Sequence, residues 1–208
     1  MPYVFIHGLG QTASSWNETI KYMKIDNMSF CPDLFGMLKD KEVNYQNLHQ
    51  GFTEYCSQFS EPVHICGLSL GGILALQYAV EHKSEVKSLV LIGTQYTMPK
   101  NLISFQNLIF RFMPEFMFKE IGTGKKDLIN LSDSMKELDF SSRLKDINCP
   151  VMVICGKRDN ANKKASISLS KIISGAEFSS IEKSGHEVNL QAPERLAEVL
   201  NSFYDKIF

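Results

Sequence analysis

The chain of 208 residues is 44% hydrophobic and 22% charged, with a formal net charge of -1; it can bury one substantial core and offers no broad field to nucleic acid or anionic lipid. No apolar stretch reaches the roughly 20 residues that cross a bilayer, and the opening MPYVFIHGLG has neither a basic leader nor a cleavage site, so one cytoplasmic domain without membrane insertion is expected. Cys31, Cys56, Cys66, Cys149 and Cys155 lack the close pair spacings of zinc or redox sites, and with no metal or phosphate motif in the chain no cofactor is expected.

The first predicted strand is YVFI at 3–6, which runs directly into HGLGQTASSW. SFCPDL at 29–34 reads as a second strand, and Asp33 there is a carboxylate near a strand end. A third strand, PVHIC at 62–66, leads without a break into Gly67-Leu68-Ser69-Leu70-Gly71-Gly72, after which ILALQYAVEH at 73–82 reads as a helix. Strand, tight turn and helix in that order hold a serine in a strained backbone, tolerated because Gly67 and Gly71 have no side chains to collide. The Ser69 hydroxyl is thereby pushed out over the C-terminal edge of the sheet. The helix beyond it aims free N–H groups and its positive dipole end at the same spot, which makes the Leu70 amide a candidate donor to a developing oxyanion.

VKSLVLIG at 86–93 is the fourth predicted strand. From about Thr97 to Ile147 the alternation stops and only helical patterns are found, NLISFQNLIFRFMPEFMFKEI and LSDSMKELDFSSRLKDI. No linker or repeat sets this stretch apart, so it reads as a helical insertion within the same domain. Aromatic and methionine side chains concentrate in it and suit an apolar pocket wall. Phe112, Met113 and Phe116 are the candidate substrate-binding residues, with packing onto the sheet as the competing role for each. Arg111, Lys119 and Arg143 would meet an anionic substrate only if they are not simply solvated.

PVMVIC at 150–155 and EFSSI at 177–181 complete six strands. Nearly continuous apolar strands separated by helices imply an α/β fold with a mainly parallel sheet covered on both faces. Cys66 and Cys155 are expected to pack inside strands. A serine hydroxyl is a poor nucleophile near neutral pH and needs a base oriented by an acid. Asp159 just beyond the fifth strand and His186 in the loop after the sixth both fall on the sheet edge that carries Ser69. The closing helix is APERLAEVLNSFYDKI.

The elbow around Ser69, the order Ser69, Asp159, His186 and the His-Gly loop after the first strand together resemble the α/β-hydrolase superfamily along essentially the whole chain. The resemblance implies a single α/β-hydrolase domain over 1–208 with a helical lid at about 97–147. It implies Ser69 as nucleophile, His186 as the group that takes its proton, and Asp159 as the carboxylate that fixes the imidazole tautomer. It also implies that the backbone N–H of Leu9 is a second oxyanion donor, beside Leu70, while His7 braces its loop. The superfamily often continues the second strand as Pro-Gly-His-Gly where this chain reads Leu34-Phe35-Gly36-Met37, and forms an antiparallel hairpin before the strand at which this chain begins. Its menaquinone-pathway lyases generally place an arginine where this chain has Ile73. His49, His64 and His82 have no acid or nucleophile at motif spacing. The expected activity is that of a carboxylesterase acting on small to medium apolar esters, as a monomer or homodimer. Acyl transfer, thioester, lactone or carbon–carbon bond hydrolysis, and ligand binding on an idle hydrolase scaffold are the alternatives.

Overall fold

The computed structural model describes residues 1–25, 28–38, 41–98, 100 and 124–207. Six strands, β1 (Tyr3–Ile6), β2 (Ser29–Phe30), β3 (Val63–Leu68), β4 (Val86–Ile92), β5 (Val151–Gly156) and β6 (Glu177–Ile181), form one sheet in the order β2-β1-β3-β4-β5-β6. Every pairing is parallel. Each residue of β1, β3 and β5 is buried, which explains why these strands read as unbroken apolar runs: both faces of a parallel sheet are covered.

Alternate strand residues feed two cores. Val4, Ile6, Ile65, Leu89, Leu91 and Val153 pack on one side, with α2 (Tyr45–Cys56), α3 (Leu70–Glu81), α4 (Lys125–Ser134) and α5 (Lys163–Ile172). Phe5, Cys66, Val90, Ile92 and Ile154 pack on the other, against α1 (Asn17–Lys21), the single turn α6 (Val188–Gln191) and α7 (Pro193–Tyr204). Cys66 and Cys155 are buried, as expected, and burial pushes both thiols up.

Two elements differ from the sequence expectation. The second run pairs with β1 only at Ser29 and Phe30, because Pro32 has no N–H to continue a ladder. Residues 131–147 do not continue as helix: α4 stops at Ser134, and the Asp139 carboxylate accepts the Ser141 N–H at 2.8 Å, a side-chain turn that competes with helical bonding. Instead, Phe140 N–H donates to Tyr96 O (2.8 Å) and Met98 N–H to Leu138 O (3.1 Å), around an antiparallel bridge between Thr97 and Asp139. The stretch that interrupts the alternation is therefore closed at its neck by a short antiparallel pairing. No helix among the described residues is long and apolar enough to cross a membrane.

Candidate active site

The turn between β3 and α3 holds Ser69 at φ 54° and ψ -113°, a left-handed backbone that a residue with a Cβ adopts at a cost of roughly 1–3 kcal/mol. Two close approaches enforce it. A Cβ on Gly71 would lie 2.3 Å from Ile6 O, and one on Gly67 would lie 2.3 Å from Gly71 O, so only glycine lets the start of α3 press onto the end of β1. The Ser69 N–H donates to Ile92 O at 2.9 Å, which fixes the serine against the end of β4. Leu70 is the first residue of α3, and its N–H has no acceptor within the helix.

Asp159 and His186 meet beside the same strand end. The imidazole Nδ1 lies 2.8 Å from Asp159 Oδ2; a carboxylate only accepts, so Nδ1 carries the proton and Nε2 is left as the acceptor. The Asp159 side chain is 4% exposed and that of His186 38%, one held in the protein and the other reaching solvent. Burial works against the Asp159 charge, but the hydrogen bond and charge of His186 and the hydrogen bonds from Asn162 outweigh it and hold the carboxyl below its ordinary range. Gly93, at φ 55°, makes room for the pair: a Cβ there would fall 3.0 Å from the His186 ring and 3.2 Å from Asp159 Oδ2. Ser69 leans on Ile92 and His186 on Gly93, so the serine and the histidine converge on consecutive residues of β4.

The His-Gly loop closes the third side. A Cβ on Gly8 would sit 3.5 Å from Ser69 Cβ, which puts Gly8 beside the serine. Its carbonyl is held from behind, accepting from the Gln11 N–H at 3.2 Å and from His7 Nδ1 at 3.0 Å. In a planar trans peptide the Leu9 N–H then points the other way. His7 Nε2 accepts from the Leu34 N–H at 3.3 Å, and burial keeps this imidazole below its usual range, hence neutral near pH 7. His7 thus ties its loop to the segment after β2, the bracing role read from the sequence.

Several residues in the site carried no motif. The Gln11 and Asn189 amides exchange hydrogen bonds of 3.2 and 3.1 Å, tying the His-Gly loop to the turn α6 just after His186. Asn162, at the start of α5, donates to both Asp159 oxygens, at 2.9 and 3.0 Å, and its own Oδ1 accepts from Gln95 Nε2 at 2.9 Å. An asparagine just before a helix ordinarily signals a cap, which is why spacing alone gives no hint of this role. Elsewhere, Asp33 is exposed and accepts the Phe35 N–H, forming a local turn. Arg143 binds Val80 O at 3.1 Å and pairs with Glu81 at 3.6 Å at the C-terminal end of α3, so it does not face the site. His49 sits 3.5 Å from Glu81 and His82 stacks on Tyr78. Phe112, Met113 and Phe116, with Arg111 and Lys119, lie outside the described residues.

The Alpha/beta hydrolase family matches residues 3–199. Monoacylglycerol lipase ABHD6 of Bos taurus is 22% identical over 96% of this chain and 74% of its own length. A proline iminopeptidase of Heyndrickxia coagulans is 30% identical over 71% of this chain and 68% of its own. A thermophilic esterase from Thermogutta terrifontis shares the fold at a TM-score of 0.82, with 18% identity over 100% of this chain and 90% of that one. With the family match spanning nearly the whole sequence and the parallel sheet and elbow in place, the chain belongs to the alpha/beta hydrolase family.

Proposed function

We propose that this protein is a serine hydrolase, a carboxylesterase that cleaves small to medium apolar carboxylic esters through an acyl-enzyme on Ser69. The observation that carries the reading is the convergence on the end of β4 of a strained, solvent-accessible Ser69 and a His186 whose Nδ1 is engaged by Asp159 at 2.8 Å. Ser69 Oγ attacks the ester carbonyl as His186 Nε2 takes its proton, and the carbonyl π pair moves to oxygen. The Leu9 and Leu70 N–H groups hold that oxyanion; removing one such donor typically costs about 10²–10³ in rate. Collapse of the intermediate breaks the C–O bond, the imidazolium returns its proton to the departing alkoxide, and water repeats the sequence to release the acid. Asp159 holds the tautomer and balances the imidazolium charge. The stretch at 97–147, pinched at its neck, caps the acyl group, with Phe112, Met113 and Phe116 on the pocket wall. The names of the lipase and the esterase above support ester chemistry; the iminopeptidase supports a second reading, amide cleavage after an N-terminal proline.

The test is hydrolysis of p-nitrophenyl esters from acetate to decanoate and of prolyl p-nitroanilide, by wild type and Ser69→Ala, with fluorophosphonate labelling of each. Ester turnover and labelling that both vanish in Ser69→Ala are expected, and the best chain length sizes the pocket. Turnover of the anilide in preference to every ester would shift the reading to amides. A wild type that neither labels nor turns over would overturn it in favour of ligand binding.

A further inference from the structure

Asn162 occupies the residue just before α5, where an asparagine side chain normally accepts an N–H from the first helical turn. Here it makes no such cap. Its Nδ2 instead points back at the carboxylate, 2.9 Å from Oδ1 and 3.0 Å from Oδ2 of Asp159, and its backbone N–H lies 3.2 Å from Oδ1. The same Nδ2 lies 3.1 Å from His186 Nδ1. Because Nδ1 already donates its proton to Asp159, that approach is not a hydrogen bond, and the two carboxylate oxygens share an amide N–H of Asn162. The amide therefore sits over the Asp159–His186 bond. Its orientation is fixed from outside: Gln95 Nε2 donates to Asn162 Oδ1 at 2.9 Å and to Ala161 O at 3.3 Å, so the amide cannot turn its oxygen toward the carboxylate without losing that donor.

Resting on the hydrolase reading above, we infer that Asn162, oriented by Gln95, is a positioning residue that sets the plane and charge of the Asp159–His186 pair. Asp159 is buried, and a buried carboxylate keeps its charge and a single orientation only if its lone pairs are engaged. Apart from His186, every side-chain hydrogen bond to this carboxylate among the described residues comes from Asn162. Without the amide, Oδ1 keeps only the backbone N–H, and the carboxylate is free to rotate away from Nδ1. Among the described residues Asp159 is the one titratable group that hydrogen-bonds His186; the neighbouring Glu187 turns to Gln11 Nε2, at 3.4 Å. Gln95 lies next to Tyr96, where the neck pairing begins, so the orientation of Asn162 also depends on how that neck is held.

The experiment combines an NMR titration of the His186 ring with steady-state kinetics on the best p-nitrophenyl ester, for wild type, Asn162→Ala, Asn162→Asp and Gln95→Ala. Thermal unfolding of each confirms the fold. Asn162→Ala should lower kcat about tenfold to a hundredfold, with KM within about twofold, as expected when a reacting pair loses its alignment and not its substrate contacts. Asn162→Asp puts a second carboxylate against the pair; the ring should titrate about one pH unit higher, with the acid limb of kcat/KM moving equally. Gln95→Ala should lower kcat a few-fold. If the ring titrates identically in all four folded proteins and kcat is unchanged, the inference is overturned whatever the wild-type activity. If the ring shifts as expected but wild type hydrolyses no ester and takes no fluorophosphonate, the clamp stands and the esterase reading fails.

Discussion

His64 and His186 both engage a side-chain oxygen through Nδ1, Ser88 Oγ at 2.7 Å in one case and Asp159 Oδ2 at 2.8 Å in the other. The bonds are nearly equal in length, and the surroundings are opposite. The parallel register aligns Tyr3, His64 and Ser88 across β1, β3 and β4 near the N-terminal ends of the strands, where the ring stacks on Tyr3 at 4.5 Å and meets the edge of Tyr204 at 5.4 Å. It is fully buried, and desolvation, helped by the N-terminal amine and Lys87, pushes His64 down to about 4. His186 stands in a loop at the opposite ends of the strands, beside a strained serine and open to solvent. A hydrogen bond through Nδ1 does not by itself make a histidine a base. His186 differs in having a carboxylate on one side of the ring and partial exposure to solvent, at the C-terminal edge of the parallel sheet.

The largest effect is expected at Asp159. Asp159→Asn should lower kcat about 10⁴-fold, since the amide competes for the wrong tautomer, while ester KM stays near wild type; steady-state kinetics with a circular dichroism control decide it. Gly93→Ala sets a methyl against the His186 ring and a side chain at φ 55°, and should cost about a hundredfold in turnover together with about 1 kcal/mol or more of stability by urea unfolding. Gln11→Ala removes the amide pair with Asn189 and frees the back of the His-Gly loop; turnover should fall about tenfold, in kcat more than in KM.

His64→Phe removes the buried imidazole. Activity near pH 7.5 should stay within about twofold, because this ring lies at the opposite ends of the strands from Ser69. Its effect belongs to acid stability. The folded value of His64 lies below the unfolded one, so the unfolded chain takes up the proton first, and stability is lost as pH falls from about 6.5 to about 4, in total about 3 kcal/mol. Urea unfolding across that range should show the slope in wild type and a flatter one in His64→Phe. Asp159 acts lower: its depressed carboxyl contributes stability above the ordinary carboxylate range and loses it as pH falls through its folded value. The two windows are therefore separable.

Much of this molecule was legible in the amino-acid order alone. Six short strand-like runs, most of them nearly continuously apolar, implied a covered parallel sheet, and all six contain strands, although Pro32 cut the second to two residues. The Gly67–Gly71 turn required an elbow because a strand and a helix can join that tightly only where close backbone approaches displace no Cβ. Such features are local, set by backbone sterics and hydrophobic periodicity within a few residues. Asp33 and Asp159 both follow strands; the order Ser69, Asp159, His186 favours Asp159 in the sequence, and the strand order sets the two apart in space, since β2 lies at the far edge from β5. The diversion of Asn162 from helix capping to the Asp159 carboxylate, and the Gln11–Asn189 amide pair joining residues 178 apart in sequence, left no local trace. A hydrogen bond needs donor and acceptor within about 3 Å, and for residues far apart along the chain only the packing of the sheet and its loops sets that distance.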